Sequence, residues 1–226
     1  MPSRDASKRP DNSQPMWQVL IKKYGVWGAV RLLYTDVLPD FRYGIDTARP
    51  VGNLQLTSSD KLFEHNRYVP STFDAVVSSL NHVASRIDLS QSGFLDYGSG
   101  KAKALIAATR FPFREITGIE LNRQLHDIAC RNIDRMKLSD RVTCLCSDAS
   151  TFDLRPNDTV LYFFNPFTGS VLERCLDRIE KSSSGISRQI IYLNPTEDVV
   201  FCRYFEKWDE VDFDPGGVEV NFYVTR

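Results

Sequence analysis

Four places in the sequence end a short apolar run on a polar side chain, and together they could hold a small charged ligand. Asp96 closes the first run and is followed by Gly98-Ser99-Gly100; Glu120 closes the second, Asp148 the third and Asn165 the fourth. Glycines at such a turn take positive φ and let backbone approach a ligand closely. A helix starting just after it offers N–H groups to an anion. An acid ending the next strand can accept both hydrogen bonds of a ribose diol. Two phosphate-binding patterns fail here. A P-loop needs Gly at 95 and Ser or Thr at 102, where the chain has Leu95 and Ala102. The dinucleotide fingerprint needs a third Gly at 103, which is Lys103.

The pattern around these residues supplies the elements that must position them. Gly93–Tyr97 reads as a strand, Lys101–Arg110 as a helix stopped by Phe111-Pro112-Phe113, and Glu115–Leu121 as a second strand. Leu125, Ile128, Ala129, Ile133 and Met136 recur at helical spacing over Asn122–Lys137, and Arg141–Ser147 reads as a third strand. Thr159–Phe164 is continuously apolar, as a strand buried on both faces should be. A helix through Val171–Ile179 leads to a strand at Gln189–Leu193, and Trp208–Phe213 with Glu219–Thr225 read as a closing hairpin. Alternating strands and helices predict an α/β protein with a seven-stranded, mostly parallel sheet and a C-terminal antiparallel hairpin. Ligands of such sheets sit outside the carboxyl ends of the strands, where all the polar residues above fall.

Ahead of this domain (residues 73–226) lie two further stretches. Residues 1–15 are polar and rich in Pro, Ser and Asp, and read as a disordered tail. Residues 16–72 read as an N-terminal helical and lid-like loop extension. Its helix carries Trp17, Leu20, Ile21, Tyr24, Val26, Trp27, Val30, Leu33 and Tyr34, with bends expected at Gly25 and Gly28. That aromatic face is expected to pack on its own domain, the other choices being a partner chain or a lipid surface. From Asp36 to Asp60 the chain reads as loop, and Ser71 or Thr72 can cap a helix over Phe73–Arg86.

Bulk composition excludes several classes. At 226 residues, 42% hydrophobic and 25% charged, this is a globular chain large enough for a substantial core. Lys+Arg 28 against Asp+Glu 29 gives no global attraction to nucleic acid. The five cysteines, Cys130, Cys144, Cys146, Cys175 and Cys202, form no C-x-x-C pair and read as buried thiols of a reducing compartment. No apolar run reaches the roughly 18 residues of a membrane span, and a signal-peptide core is lacking, so a cytoplasmic location is expected.

Asp96-Tyr97-Gly98-Ser99-Gly100 with Glu120 resembles the first two motifs of class I methyltransferases, which use S-adenosylmethionine. Over Tyr68–Asn194 the chain resembles a bacterial group of such enzymes with undefined substrate. The residues carrying this are Tyr68-Val69-Pro70-Ser71, Asp96–Lys101, Pro112-Phe113, Gly118-Ile119-Glu120, Leu125–Ala129 and Tyr162–Phe167, with a further likeness at Gly44–Thr47. It departs at Ala102-Lys103, where that group usually has Gly-Arg. More remotely, the glycine motif resembles non-SET histone-lysine methyltransferases, which raises protein lysine as an acceptor. The resemblance implies a Rossmann-like fold, S-adenosylmethionine as cofactor and S-adenosylhomocysteine as product. It also implies roles: Asp96, Gly98, Ser99 and Gly100 at the amino-acid end, Glu120 on the ribose with Leu121 beside the adenine, and Asp148 with the Ala149 backbone on the adenine amino group. Tyr68 and Ser71 would close over the cofactor. Lys101 is read as a solvated first-turn lysine rather than a carboxylate ligand.

Asn165-Pro166-Phe167 partly matches the N/D-P-P-Y/F motif of amino-group methyltransferases, with Phe167 third, Thr168 fourth and one proline. It nominates Asn165, as hydrogen-bond acceptor beside the methyl, and Phe167, as stacking ring, for the catalytic positions. A general base would come from His65, His82 or His126, the last expected on a solvent face. No metal constellation is visible. The expected activity is methyl transfer to an N or O nucleophile of a small molecule. The alternatives are a protein side chain as acceptor, or a non-catalytic cofactor-binding scaffold that pairs through the Trp17–Tyr34 helix.

Overall fold

A computed structural model describes residues 16–49, 71–213 and 218–226. The tail at 1–15, Pro50–Asn53, His65, Tyr68 and the Asp214–Gly217 turn lie outside the described residues.

The N-terminal helix α1 spans Met16–Leu32, broken at Gly25, whose φ of 71° no helix contains. A π-helical turn, Leu33–Val37, runs on into α2, Leu38–Tyr43, and Gly44 ends it in the left-handed conformation (φ 65°). Helix α3, Phe73–Ala84, is capped by Thr72, whose side chain accepts from Ala75 N–H at 3.3 Å. Then strand and helix alternate: β1 Gly93–Tyr97, α4 Lys103–Ala108, β2 Glu115–Glu120, α5 Arg123–Arg135, β3 Val142–Cys146, β4 Asp158–Phe163, α6 Gly169–Ser182, β5 Gln189–Leu193 and α7 Asp198–Tyr204. The antiparallel pair β6, Glu206–Asp212, and β7, Glu219–Val224, closes the chain.

The strands form one sheet in the order β3-β2-β1-β4-β5-β7-β6. The first five are parallel, and β7 enters antiparallel to β5. Strand order reverses between β1 and β4, so the crevice for a ligand opens at their carboxyl ends. Alternation along the strands divides the core. Phe94, Val160, Tyr162 and Ile191 pack under α3, α4 and α5, while Leu95, Tyr97, Leu161 and Phe163 pack under α6 and α7. Aromatic rings weld the second layer: Tyr97 stacks on Phe163 at 4.5 Å and Tyr192 on Phe201 at 4.3 Å.

Several expectations are corrected. The helix after the glycines starts at Lys103, because Ala102 sits at φ 70°, a conformation that favours glycine. The stretch Asp36–Tyr43 is helical rather than loop, since an i→i+5 turn carries the helix across Leu33–Val37. The described aromatic side chains of the N-terminal helix do not lie on its own domain: Trp27 is 85% exposed and Tyr34 67%, while the side chains of Trp17, Leu20 and Tyr24 lie outside the described residues. What docks instead is the polar side of that arm. Asp36 is buried against Lys103 (2.6 Å) and also accepts from Phe73 N–H (3.2 Å), so the buried lysine has its countercharge. Among the described residues, no helix is long and apolar enough to cross a membrane.

Candidate functional site

The glycine turn is built by what it must avoid. Gly98 and Gly100 hold φ of 79° and 52°. A side chain at Gly98 would strike the Pro166 ring, and one at Gly118 would meet Ser99 and Leu105 at 2.6 Å. The turn therefore lies flat on β2 and beneath the end of β4, joining three strand ends through two hydrogen-only positions. Its N–H groups are spent on β2: Gly98 and Ser99 donate to Ile119 O, each at 2.9 Å, and Gly100 donates to Glu120 Oε2 at 2.9 Å. Asn122 N–H donates to Glu120 Oε1 at 2.7 Å. These two donors fix the carboxylate's orientation, and each oxygen keeps a lone pair for a hydroxyl.

Asp96 differs from Glu120. It is 3% exposed, and no hydrogen bond reaches its carboxyl among the described residues. Burial, then the neighbouring Glu120, holds its pKa well above the ordinary carboxylate range. Burial raises Glu120 as well, partly offset by the N–H bonds from Asn122 and Gly100. Ser99 Oγ and the Tyr162 hydroxyl are also buried, and neither makes a hydrogen bond among the described residues. Tyr162 is the register partner of Asp96 across β1 and β4, and its hydroxyl is near both Asp96 and Ser71. Sequence reading missed Tyr162. Its signal was parallel pairing of the strands ending at Asp96 and Asn165, which places it on the face of Asp96. A buried carboxylate without a partner, beside unsatisfied hydroxyls, fits a cationic ligand group.

The neighbouring strand ends are organised otherwise. Asp148 caps a short 3-10 turn, its Oδ1 accepting from Ser150 N–H (2.9 Å) and Ser150 Oγ–H (2.7 Å). Ala149 is buried, and Leu121 is half-buried just past Glu120. Asn165 sits at φ 44° and Asn194 at φ 49°, both in the left-handed region and both preceding a proline. The Asn165 Oδ1 accepts from Tyr192 Oη–H (2.6 Å) and Thr196 Oγ–H (3.0 Å), and its Nδ2 donates to Asn194 O. Phe167 turns inward. It is buried and meets Phe163 edge-on at 6.4 Å, so its ring offers no open stacking face here. Phe164, just past β4, is half-buried and packs with the other core layer, the one under α3, α4 and α5.

Lys101 is neither solvated nor aimed at a ligand. It is 1% exposed, and its Nζ donates to Asp46 Oδ2 (2.8 Å) and Arg49 O (2.9 Å). Asn132 on α5 completes this clasp, exchanging bonds with Asp46 N–H and O, both at 3.0 Å, and donating to Lys101 O. The segment after α2 is thereby strapped across the first turn beyond the glycines. His126 is also not on a solvent face: its Nε2 lies 3.3 Å from Cys144 O on β3. His82 sits on α3, stacked on Trp208 and bonded to Asp209 at 2.7 Å. Neither histidine is at the glycine turn. Ser71 is buried just ahead of α3.

Comparison with known proteins agrees with this architecture. The chain has the Rossmann-like class I methyltransferase fold. An RNA methyltransferase from Salinibacter ruber, solved with S-adenosylhomocysteine, superposes with a TM-score of 0.53 at 17% identity, covering 70% of this chain and 94% of that one. The pyocyanin biosynthetic protein PhzM superposes equally well (0.53, 14% identity), over 66% of this chain and 54% of its own. By sequence, the release factor glutamine methyltransferase of Rhodopirellula baltica is 32% identical over 134 residues, 57% of this chain. The chain spans 45% of that relative's length. No protein-family model matches it.

Proposed function

We propose that this protein is an S-adenosylmethionine-dependent methyltransferase whose acceptor is a nitrogen or oxygen nucleophile of a small molecule. The observation that carries the reading is the pair of buried carboxylates, Asp96 and Glu120, flanking a left-handed glycine turn at the sheet's switch point. In it, Asp96 meets the ammonium group, directly or through water. Glu120 takes the ribose hydroxyls, Leu121 lies beside the adenine, and Asp148 and Ala149 bind its amino group. Ser71 and Tyr68 close the amino-acid end. When bound, the cofactor supplies an electrophilic sulfonium methyl. The chain's own work is alignment and exclusion of water, which is where most of the rate enhancement arises. Asn165, held by Tyr192, Thr196 and Asn194, positions the strand end facing the acceptor. A carboxamide oxygen that already accepts two hydroxyls is no base, so an amine or activated hydroxyl suits the site better than an unactivated alcohol.

A protein side chain is the second reading, favoured by the relative named as a release factor glutamine methyltransferase. The separating experiment supplies methyl-labelled cofactor and a cell extract split by size. Label in the small-molecule fraction supports the first reading, and label on protein the second. No transfer to either, with no binding of S-adenosylhomocysteine, would sink the methyltransferase assignment.

A further inference from the structure

Asp96, Ser99 and Tyr162 are 3%, 6% and 1% exposed, and among the described residues no hydrogen bond reaches a side-chain oxygen of any of them. Register brings the three together. Asp96 on β1 pairs with Tyr162 on β4 and with Gly118 on β2, so these positions share the face under α3, α4 and α5. Gly118 carries no side chain, and a Cβ there would meet Ser99 Oγ at 2.6 Å. The Ser99 hydroxyl therefore takes the place of the missing side chain. Across three adjacent strands, roughly 4.8 Å apart, the row reads hydroxyl, carboxylate, hydroxyl. Burial, then the charge of Asp96, pushes the Tyr162 hydroxyl well above its ordinary pKa, so it stays a neutral phenol. Polar atoms buried in this way cost stability unless something bonds to them, and three in one row call for a common partner.

We propose that Tyr162 is a specificity-determining residue of the cofactor site, its hydroxyl oxygen completing, with Asp96 and Ser99, a seat for the ligand's primary ammonium group. The proposal deepens the S-adenosylmethionine reading and rests on it. The chemistry of the row selects an ammonium. Such a group has three N–H donors and no acceptor, and the row offers it one carboxylate and two hydroxyl oxygens. The central carboxylate repels a ligand carboxylate or phosphate. A ligand end without donors would leave the three groups buried and unbonded. Each hydroxyl can accept from the ammonium and still has its own proton to donate, with Asp96 and Ser71 both near the Tyr162 oxygen. A carboxylate alone would hold a cation loosely in direction. Oxygens on either side of it fix where the amino-acid chain begins, and so help to set the line along which the methyl must leave.

The test is calorimetric titration of the full chain with two probes, S-adenosylhomocysteine and its deamino analogue, in which hydrogen replaces the amino group. The wild type is expected to prefer the first. Tyr162→Phe keeps the ring and removes one oxygen. It is expected to bind S-adenosylhomocysteine about tenfold more weakly or worse, as for a lost hydrogen bond to a charged group. The deamino analogue should bind this variant within about twofold of wild type, because it has no ammonium to lose. Ser99→Ala should show the same selective loss. The thermal midpoint of unliganded Tyr162→Phe should not fall below that of wild type, and a clear fall would overturn the proposal by showing the hydroxyl bonded within the protein. A Tyr162→Phe variant that binds S-adenosylhomocysteine as wild type does, or that loses both probes equally, would overturn it while the S-adenosylmethionine reading stands. A wild type that binds neither probe would overturn that reading and the proposal together.

Discussion

The two halves of the crevice use polar groups in opposite ways. At the ends of β1 and β2, charge is buried ahead of need: among the described residues Asp96 has no bond to its carboxyl and Glu120 receives only backbone N–H groups. At the ends of β4 and β5, Asn165, Tyr192, Thr196 and Asn194 satisfy one another. A group that must bind a charged ligand has to be kept from other partners, at a cost to stability. A group that must hold a backbone turn at φ near 45° is useful only when fully bonded. The first half is built to receive and the second to position.

The largest predicted effect comes from the residue where the halves touch. Gly98→Ala would drive a methyl into Pro166 and force alanine to φ 79°. A loss of about 2–4 kcal/mol in urea unfolding is expected, with cofactor binding abolished, because both strand ends must move apart. An unperturbed unfolding midpoint would show that the halves are not wedged together there.

Asp96→Asn separates function from stability. Losing a buried charge partner should weaken S-adenosylhomocysteine binding by at least about 30-fold, given roughly 2–5 kcal/mol for such a partner. The unliganded variant should nevertheless be more stable than wild type at pH 7, by about 1–3 kcal/mol. The sign follows from linkage: the folded-state pKa of Asp96 is raised, so its stability contribution is full below the ordinary value of 3.8 and is lost as pH rises toward the raised value. The variant's advantage should therefore vanish in acid and grow upward from there. Thermal midpoints across pH measure it, and a destabilised variant at neutral pH would contradict the reading of an uncompensated charge.

Smaller changes are expected in the positioning half. Tyr192→Phe removes one of two donors to Asn165 Oδ1. It should lower kcat several-fold while leaving KM for the cofactor within about twofold, as for an interaction felt in the transition state. A rise in KM alone would move Tyr192 to ground-state binding.

This contrast also explains what the sequence could and could not tell. Gly98, Gly100 and Glu120 were legible because each is demanded by local backbone geometry, which a short motif records. The β1 and β5 boundaries match expectation residue for residue, since buried parallel strands are unbroken apolar runs between turn residues. Lys101 was misread because its partner, Asp46, lies 55 residues earlier, and no local pattern reports such a pair. Phe167 was nominated by motif position, but which way its ring turns depends on the fit of α6 over Phe163. The arm's apolar periodicity was visible; periodicity does not say what covers a face.

The most direct test is calorimetric titration of wild type, Asp96→Asn and Asn165→Ala with S-adenosylhomocysteine, with turnover measured on the same preparations. Micromolar binding by wild type is predicted, lost in Asp96→Asn and kept within about threefold in Asn165→Ala, which should be inactive for want of transition-state alignment alone. Equal loss of binding in both variants, or wild-type turnover in Asn165→Ala, would contradict the division of the crevice into a receiving and a positioning half.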